Sequence, residues 1–227
     1  RIGLIVLRPV VKGLFSHAFV SGNKQAIYAD KLGVKSNSIF KGHYTANVGH
    51  FNSIYFQKEN KRHSHKILYL GRYVKHKGIF ELWEAFNEII TENEDLKHWE
   101  LICAGTGNQW DNRMSHPNIK HLGFVQPSEI EPIINESSFY ILPSHFEPWG
   151  VSVHEMAAAG LPLLLSDAVG SKEAFLEEEK NGFSFSPNNK KALKASLLKM
   201  MQLPEKELQE MGKHSNQLAQ NITPQKW

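Results

Sequence analysis

From residue 67 onward, short apolar runs alternate with segments whose apolar residues fall at helical spacing, and this alternation limits the folds open to the chain. The run within 67–73 reads as a strand ended by a glycine-bearing loop. Ile79, Leu82, Trp83, Phe86, Ile89 and Ile90 then recur at the spacing of an amphipathic helix. The pattern repeats with strands at 99–105, 119–124, 138–143 and 162–166 and helices at 127–136, 150–159 and 171–176, followed by helices near 189–202 and 204–220. Helices set between successive strands imply parallel pairing, with both faces of the sheet covered. Right-handed crossovers make this an α/β, Rossmann-like doubly wound parallel sheet.

The first sixty residues read differently. RIGLIVLRPVVKGLF looks helical despite Pro9, SHAFVSG looks like a buried strand, NKQAIYADKLG like a helix ended by Gly33, and NSIFKGHYT like another strand. Residues 46–66 are polar and aperiodic, which sets a boundary there: 1–60 as a partial first domain with its linker, 61–227 as the second domain. The chain begins with Arg1 rather than Met and reads as a piece of a longer protein.

Several function classes are disfavoured by composition. A net charge of +3 over 227 residues is too small to argue for nucleic acid, and the tract KRHSHK at 61–66 is too brief for a binding surface and reads as a solvated linker. No apolar run approaches the roughly 20 residues that span a bilayer, and no small-residue cleavage site follows RIGLIVLRPVV. A single cysteine, Cys103, cannot form an internal disulfide, which favours a reducing, cytoplasmic setting and a buried strand position for the thiol. The twelve histidines are dispersed, and neither His63 with His65 nor His116 with His121 comes with a metal-ligand framework, so no metal site is expected. No Ser-His-Asp or Cys-His arrangement suggests covalent catalysis, and Gly150 with Ser152 does not make a GxSxG elbow.

The chemistry concentrates in HFEPWGVSVHEMAAAGLP, residues 145–162, where Glu147 and Glu155 flank a loop-to-helix junction. Gly150 relaxes the backbone, Val151 to Ala159 reads as a short helix, and Gly160 and Pro162 stop it. Free N–H groups at such a helix start attract anions, so Glu147 reads either as a helix-dipole partner or as a ligand hydrogen-bond acceptor. Around this run stand, in order, ILYLGRYVKHKG, LICAGTGN, NIKHLGFV, FYILPSHFEPWG, LPLLLSDAVG and NGFSF. Together they resemble the sugar-nucleotide-binding half of retaining glycosyltransferases of the GT-B fold, specifically family four (glycosyl transferases group 1), over roughly residues 61–227. The layout of residues 1–60 is then similar to the end of that family's N-terminal domain and its linker, and the closing ITPQKW to the point where a last helix returns to that domain.

The resemblance implies a set of roles. Arg72 and Lys77, in GRYVKHKG, would hold the diphosphate beside Gly71; Glu155 would accept hydrogen bonds from ribose hydroxyls; Glu147 would face the transferred hexose, as a positioning group rather than a nucleophile. Backbone groups of Trp149, Gly150 and Val151 would complete the cradle, with Trp149 standing where phenylalanine is more usual. Gly105, in AGTGN, serves either a close backbone approach to ligand or a plain tight turn, since Trp110 occupies the third glycine position of a dinucleotide fingerprint. Phe124 and Val125 match residues that line the base pocket, while Phe124 taken alone reads as core packing. A retaining hexosyltransferase follows, using a nucleoside diphosphate sugar as donor and a glycan or lipid-linked acceptor in surface polysaccharide or lipopolysaccharide synthesis, with no metal and no other cofactor. The resemblance also allows peripheral membrane association at the inner face through the rest of the N-terminal domain. The alternatives are a non-catalytic nucleotide-sugar binding module and a nucleotide-sugar epimerase or phosphorylase of related fold.

Overall fold

Helix α1 (Ile2–Leu14), strand β1 (Ala18–Val20), helix α2 (Asn23–Lys31) and strand β2 (Ile39–Lys41) open the chain in the computed structural model, which describes residues 2–58 and 64–225. Lys61, Arg62, His63, Lys226, Trp227 and the 60/61 boundary lie outside the described residues. β1 and β2 pair in parallel as a two-stranded sheet, Ala18 opposite Ile39. SHAFVSG thus contains a strand, but not a buried one. Phe19 and Phe40 both stay more than half exposed: α2 packs against this small sheet but does not cover them, and among the described residues the sheet has no third strand.

The polar stretch 46–66 holds a helix that its composition conceals, α3 (Val48–Lys58). Val48, Phe51 and Ile54 are buried at three-residue spacing and join the main core, but histidine, glycine, asparagine and serine between them dilute the stripe. α3 packs on the later helices α5 (Ile130–Asn135), α6 (Val151–Ala158) and α9 (Glu205–Ala219), among the elements that follow α4 (Ile79–Glu92).

The main sheet contains β3 (Lys66–Leu70), β4 (Glu100–Ala104), β5 (Ile119–Gly123), β6 (Phe139–Leu142), β7 (Leu163–Ser166) and β8 (Gly182–Phe185), all parallel, in the order β5-β4-β3-β6-β7-β8. Helices α7 (Lys172–Phe175) and α8 (Lys190–Met201) complete the elements. Ile67, Leu68 and Tyr69 and the whole of β6 and β7 are buried, as expected of parallel strands covered on both faces. The α4 stripe of Ile79, Leu82, Trp83, Phe86, Ile89 and Ile90 is fully packed, and Cys103 is buried in β4, where burial pushes its thiol up to about 12. The sixth strand was absent from the sequence expectation, because GFSF is short and interrupted by serine. Its glycine explains how it joins: a Cβ on Gly182 would fall 1.7 Å from the Leu163 carbonyl oxygen, so only glycine lets β8 start against β7.

After β5 the chain crosses back to lay β6 on the other side of β3. The order therefore reverses between β3 and β6, and in open parallel sheets ligands bind beyond the carboxyl ends of the strands at that switch point.

Candidate functional site

A crevice of about 580 Å³ opens at this point. It is lined by Gly71, Arg72 and Lys77 after β3, Gly105 and Thr106 after β4, and Phe124 and Val125 after β5. The segment after β6 supplies Glu147 to Ser152 and Glu155, and Tyr44 approaches from the N-terminal segment. Every residue given a ligand-binding role in the sequence thus lies on one crevice.

The sheet continues past its strand ends to build the floor. Gly71 N–H donates to Ala104 O at 3.0 Å, Gly105 N–H to Gly123 O at 2.6 Å, and Tyr73 N–H to Thr106 O at 2.9 Å. Gly105 has φ +138°, and a Cβ there would sit 2.0 Å from the Gly71 carbonyl oxygen. This glycine is required by the contact of two loops with one another. On the opposite wall α6 starts at Gly150, with φ +90° and no side-chain cap, so its opening N–H groups are left for the crevice. Tyr140 Oη braces this first turn, 2.9 Å from Ser152 Oγ and 3.4 Å from the Leu70 carbonyl oxygen to which it donates.

The charged groups are arranged less simply than their positions in the chain suggest. Lys77 Nζ and Glu147 Oε2 form an ion pair whose side chains are only 14% and 13% exposed, so the two groups assigned to separate parts of a ligand neutralise one another. Arg72 is exposed, and its guanidinium makes no ion pair among the described residues. Glu155 is half-buried, with no hydrogen bond or ion pair from its carboxylate among the described residues, and burial raises its carboxyl above the ordinary range. A half-buried acceptor without a partner can accept hydrogen bonds from a polar ligand.

Two aromatic positions need correction or refinement. Phe124 is 68% exposed and does not pack in the core; it follows Gly123, whose φ of +74° turns the chain off the end of β5 beyond the covering helices. Trp149 is buried, and its indole Nε1–H donates to the Tyr44 carbonyl oxygen at 3.1 Å while its ring stacks on His43 at 4.8 Å and 12°. Its ring is therefore packed on the N-terminal segment.

Sequence reasoning passed over Tyr44, Thr106 and His154, and weighed Ser152 only as part of a GxSxG elbow. His154 is fully buried: Ala46 N–H donates to Nδ1 at 3.1 Å and Nε2 lies 3.0 Å from the Ala219 carbonyl oxygen, which fixes the neutral Nε2–H tautomer. Its partners lie 108 and 65 residues away, so no local signal exists. Among the described residues no group of three or more His, Cys, Asp or Glu could hold a metal ion, and no helix is long and apolar enough to cross a membrane.

Comparison with known proteins gives this geometry a family. The chain is 28% identical over 169 residues to an uncharacterized glycosyltransferase of Methanocaldococcus jannaschii, covering 70% of this chain and 42% of that protein. It is 28% identical over 146 residues to the glycogen synthase of Mycobacterium tuberculosis, covering 61% and 34%. The chain thus spans less than half the length of these curated relatives. The crystal structure of Anabaena HepE in complex with UDP and glucose superposes with a TM-score of 0.75 at 15% identity, over 97% of this chain and 62% of that one, which establishes the GT-B type of fold. The family profile described as Glycosyl transferases group 1 matches residues 51–218, and the chain belongs to that family.

Proposed function

We propose that the crevice binds a nucleoside diphosphate sugar, and that the protein transfers its hexose, with retention, to a glycan or lipid-linked acceptor in polysaccharide synthesis. The observation that carries this reading is the convergence of Arg72, the open start of α6, the Lys77–Glu147 pair and the unpartnered Glu155 at the switch point of one sheet. Breaking the bond between the anomeric carbon and the diphosphate oxygen leaves negative charge on the diphosphate. Arg72 can take it in a planar fork of donors, and the α6 N–H groups add a fixed positive dipole end. Lys77 reaches the same charge by exchanging or sharing its contact with Glu147. Glu155 suits a ribose diol because one carboxylate accepts two hydrogen bonds. In a same-face transfer the acceptor oxygen bonds to the anomeric carbon as the diphosphate leaves, and a donor phosphate oxygen takes the acceptor proton. Glu147 then positions the hexose. Arg72, Lys77 and the helix start supply the charge that a divalent cation would otherwise supply.

The test is thermal denaturation of the protein with a panel of nucleoside diphosphates and their sugar esters. A ligand present at 100 times its dissociation constant stabilises the native state by about 2.7 kcal/mol. An unmoved midpoint with every member of the panel, matched by absence of heat in calorimetry, would overturn the reading.

A further inference from the structure

The N-terminal segment reaches the crevice at residues 43–46, and it is held there by three successive contacts. The His43 ring stacks on Trp149, with its Nδ1 2.8 Å from the Ser21 carbonyl oxygen; the Tyr44 carbonyl oxygen accepts the Trp149 indole N–H at 3.1 Å; Ala46 N–H donates to the buried His154 at 3.1 Å. The Tyr44 backbone is therefore fixed on both sides, yet the residue is 63% exposed and lines the same crevice as Glu147 and Gly150. Among the described residues its hydroxyl makes no hydrogen bond.

We propose that Tyr44 is a specificity-determining wall for the transferred pyranose, with Trp149 and His154 as the residues that position it. This rests on the donor-binding reading above. An aromatic face complements the C–H face of a pyranose ring, and the free phenol can meet a ring hydroxyl. The topology selects the sugar rather than the base. Phe124 and Val125 follow β5 at one side of the crevice, and Tyr44 meets the loop after β6, with β4 and β3 between them. The anchor also gives tryptophan at position 149 a reason. Phenylalanine could keep the stack on His43, but it has no N–H for the Tyr44 carbonyl oxygen.

The experiment compares UDP with UDP-glucose, and GDP with GDP-mannose, by calorimetry on the wild type and on Tyr44→Phe, Tyr44→Ala and Trp149→Phe. Tyr44→Ala should weaken the sugar nucleotide by about three- to tenfold and leave the matching nucleoside diphosphate within about twofold. Tyr44→Phe should retain most of the sugar contribution, and Trp149→Phe should lose part of it. Equal loss for sugar nucleotide and nucleoside diphosphate, or no loss for either, would overturn the assignment. If the wild type binds a nucleoside diphosphate normally, such a result removes Tyr44 alone. If the wild type binds none of the nucleoside diphosphates and sugar esters of the panel above, the donor-binding reading falls and this assignment with it.

Discussion

Arg72 and Lys77 occur five residues apart in one loop, but the structure gives them different energetic positions, and their substitutions should separate. Arg72 is exposed, so Arg72→Ala should weaken nucleoside diphosphate binding by roughly tenfold or more, as the loss of a charge-assisted bond does, with the melting midpoint unchanged. Lys77→Ala should show a similar loss of affinity and also destabilise the fold, because it leaves Glu147 mostly buried without its cation. Calorimetry and denaturant unfolding on the two variants check this; identical melts would mean that the Lys77–Glu147 pair contributes nothing. Glu155 makes the opposite case. Its carboxyl is raised by burial above the reference value of 4.5, so the cost of burying its charge is absent below that pH and enters as pH rises through the folded value. Glu155→Gln should therefore be more stable than wild type near neutral pH, with the difference vanishing as pH falls toward 4.5, and should bind the nucleotide sugar less tightly. Melts across pH with parallel calorimetry would expose the error if the variant were less stable at neutral pH. The sequence made these residue types legible because each stands in a short motif. The Lys77–Glu147 contact was not legible, since its partners are 70 residues apart.

At the scale of elements, period and punctuation located the strands and helices of the main sheet to within a few residues, because parallel strands are apolar throughout and α4 carries an unbroken stripe. α3 and β8 escaped for a shared reason: each is apolar at too few positions to register, and each is ordered by its neighbours. A buried polar cluster does this for α3, where Asn216 Nδ2 donates to Asn52 Oδ1 at 2.9 Å and to the Ala158 carbonyl oxygen at 2.6 Å, next to the two bonds of His154. The cluster ties α3, α6 and α9 together behind the crevice. Burial, the largest cause, lowers the His154 pKa from the reference value of 6.5. The stability tied to its neutral form is present above that value and is lost as pH falls below it, because the unfolded chain then binds the proton more readily. His154→Leu should cost stability near pH 8, where it leaves a buried N–H and a carbonyl unsatisfied at about 1–3 kcal/mol each, and should flatten the acid-side decline seen in the wild type. Denaturant melts at pH 8 and pH 5 measure both effects. Parallel declines in the two proteins would show that His154 is not the titrating group.

At the scale of the whole molecule, the chain couples a six-stranded doubly wound sheet to a much smaller parallel pair, and it spans less than half of its curated relatives. The crevice has its floor, its cations and its helix start within residues 71–155, so it should hold a nucleoside diphosphate without help from elsewhere, and chelation with EDTA should leave that binding intact. Transfer makes a further demand. The acceptor oxygen must be held in line with the anomeric carbon, and positioning of that kind can contribute roughly 7–11 kcal/mol to lowering the barrier. Among the described residues Tyr44 is the one residue of the N-terminal segment that lines the crevice, and α1, α2 and the two-stranded sheet around it leave Phe19 and Phe40 exposed. A second wall that closes on the acceptor and excludes water is what two-domain enzymes use to complete the reaction. The 227-residue chain by itself is therefore expected to bind the nucleotide sugar and release hexose to water slowly, without transferring it to an acceptor. The check is a transfer assay on this chain, with donor binding measured on the same preparation. Transfer at roughly 1 per second or faster, an ordinary enzymatic rate, would show that the acceptor is positioned by the surfaces described here and that no further wall is needed.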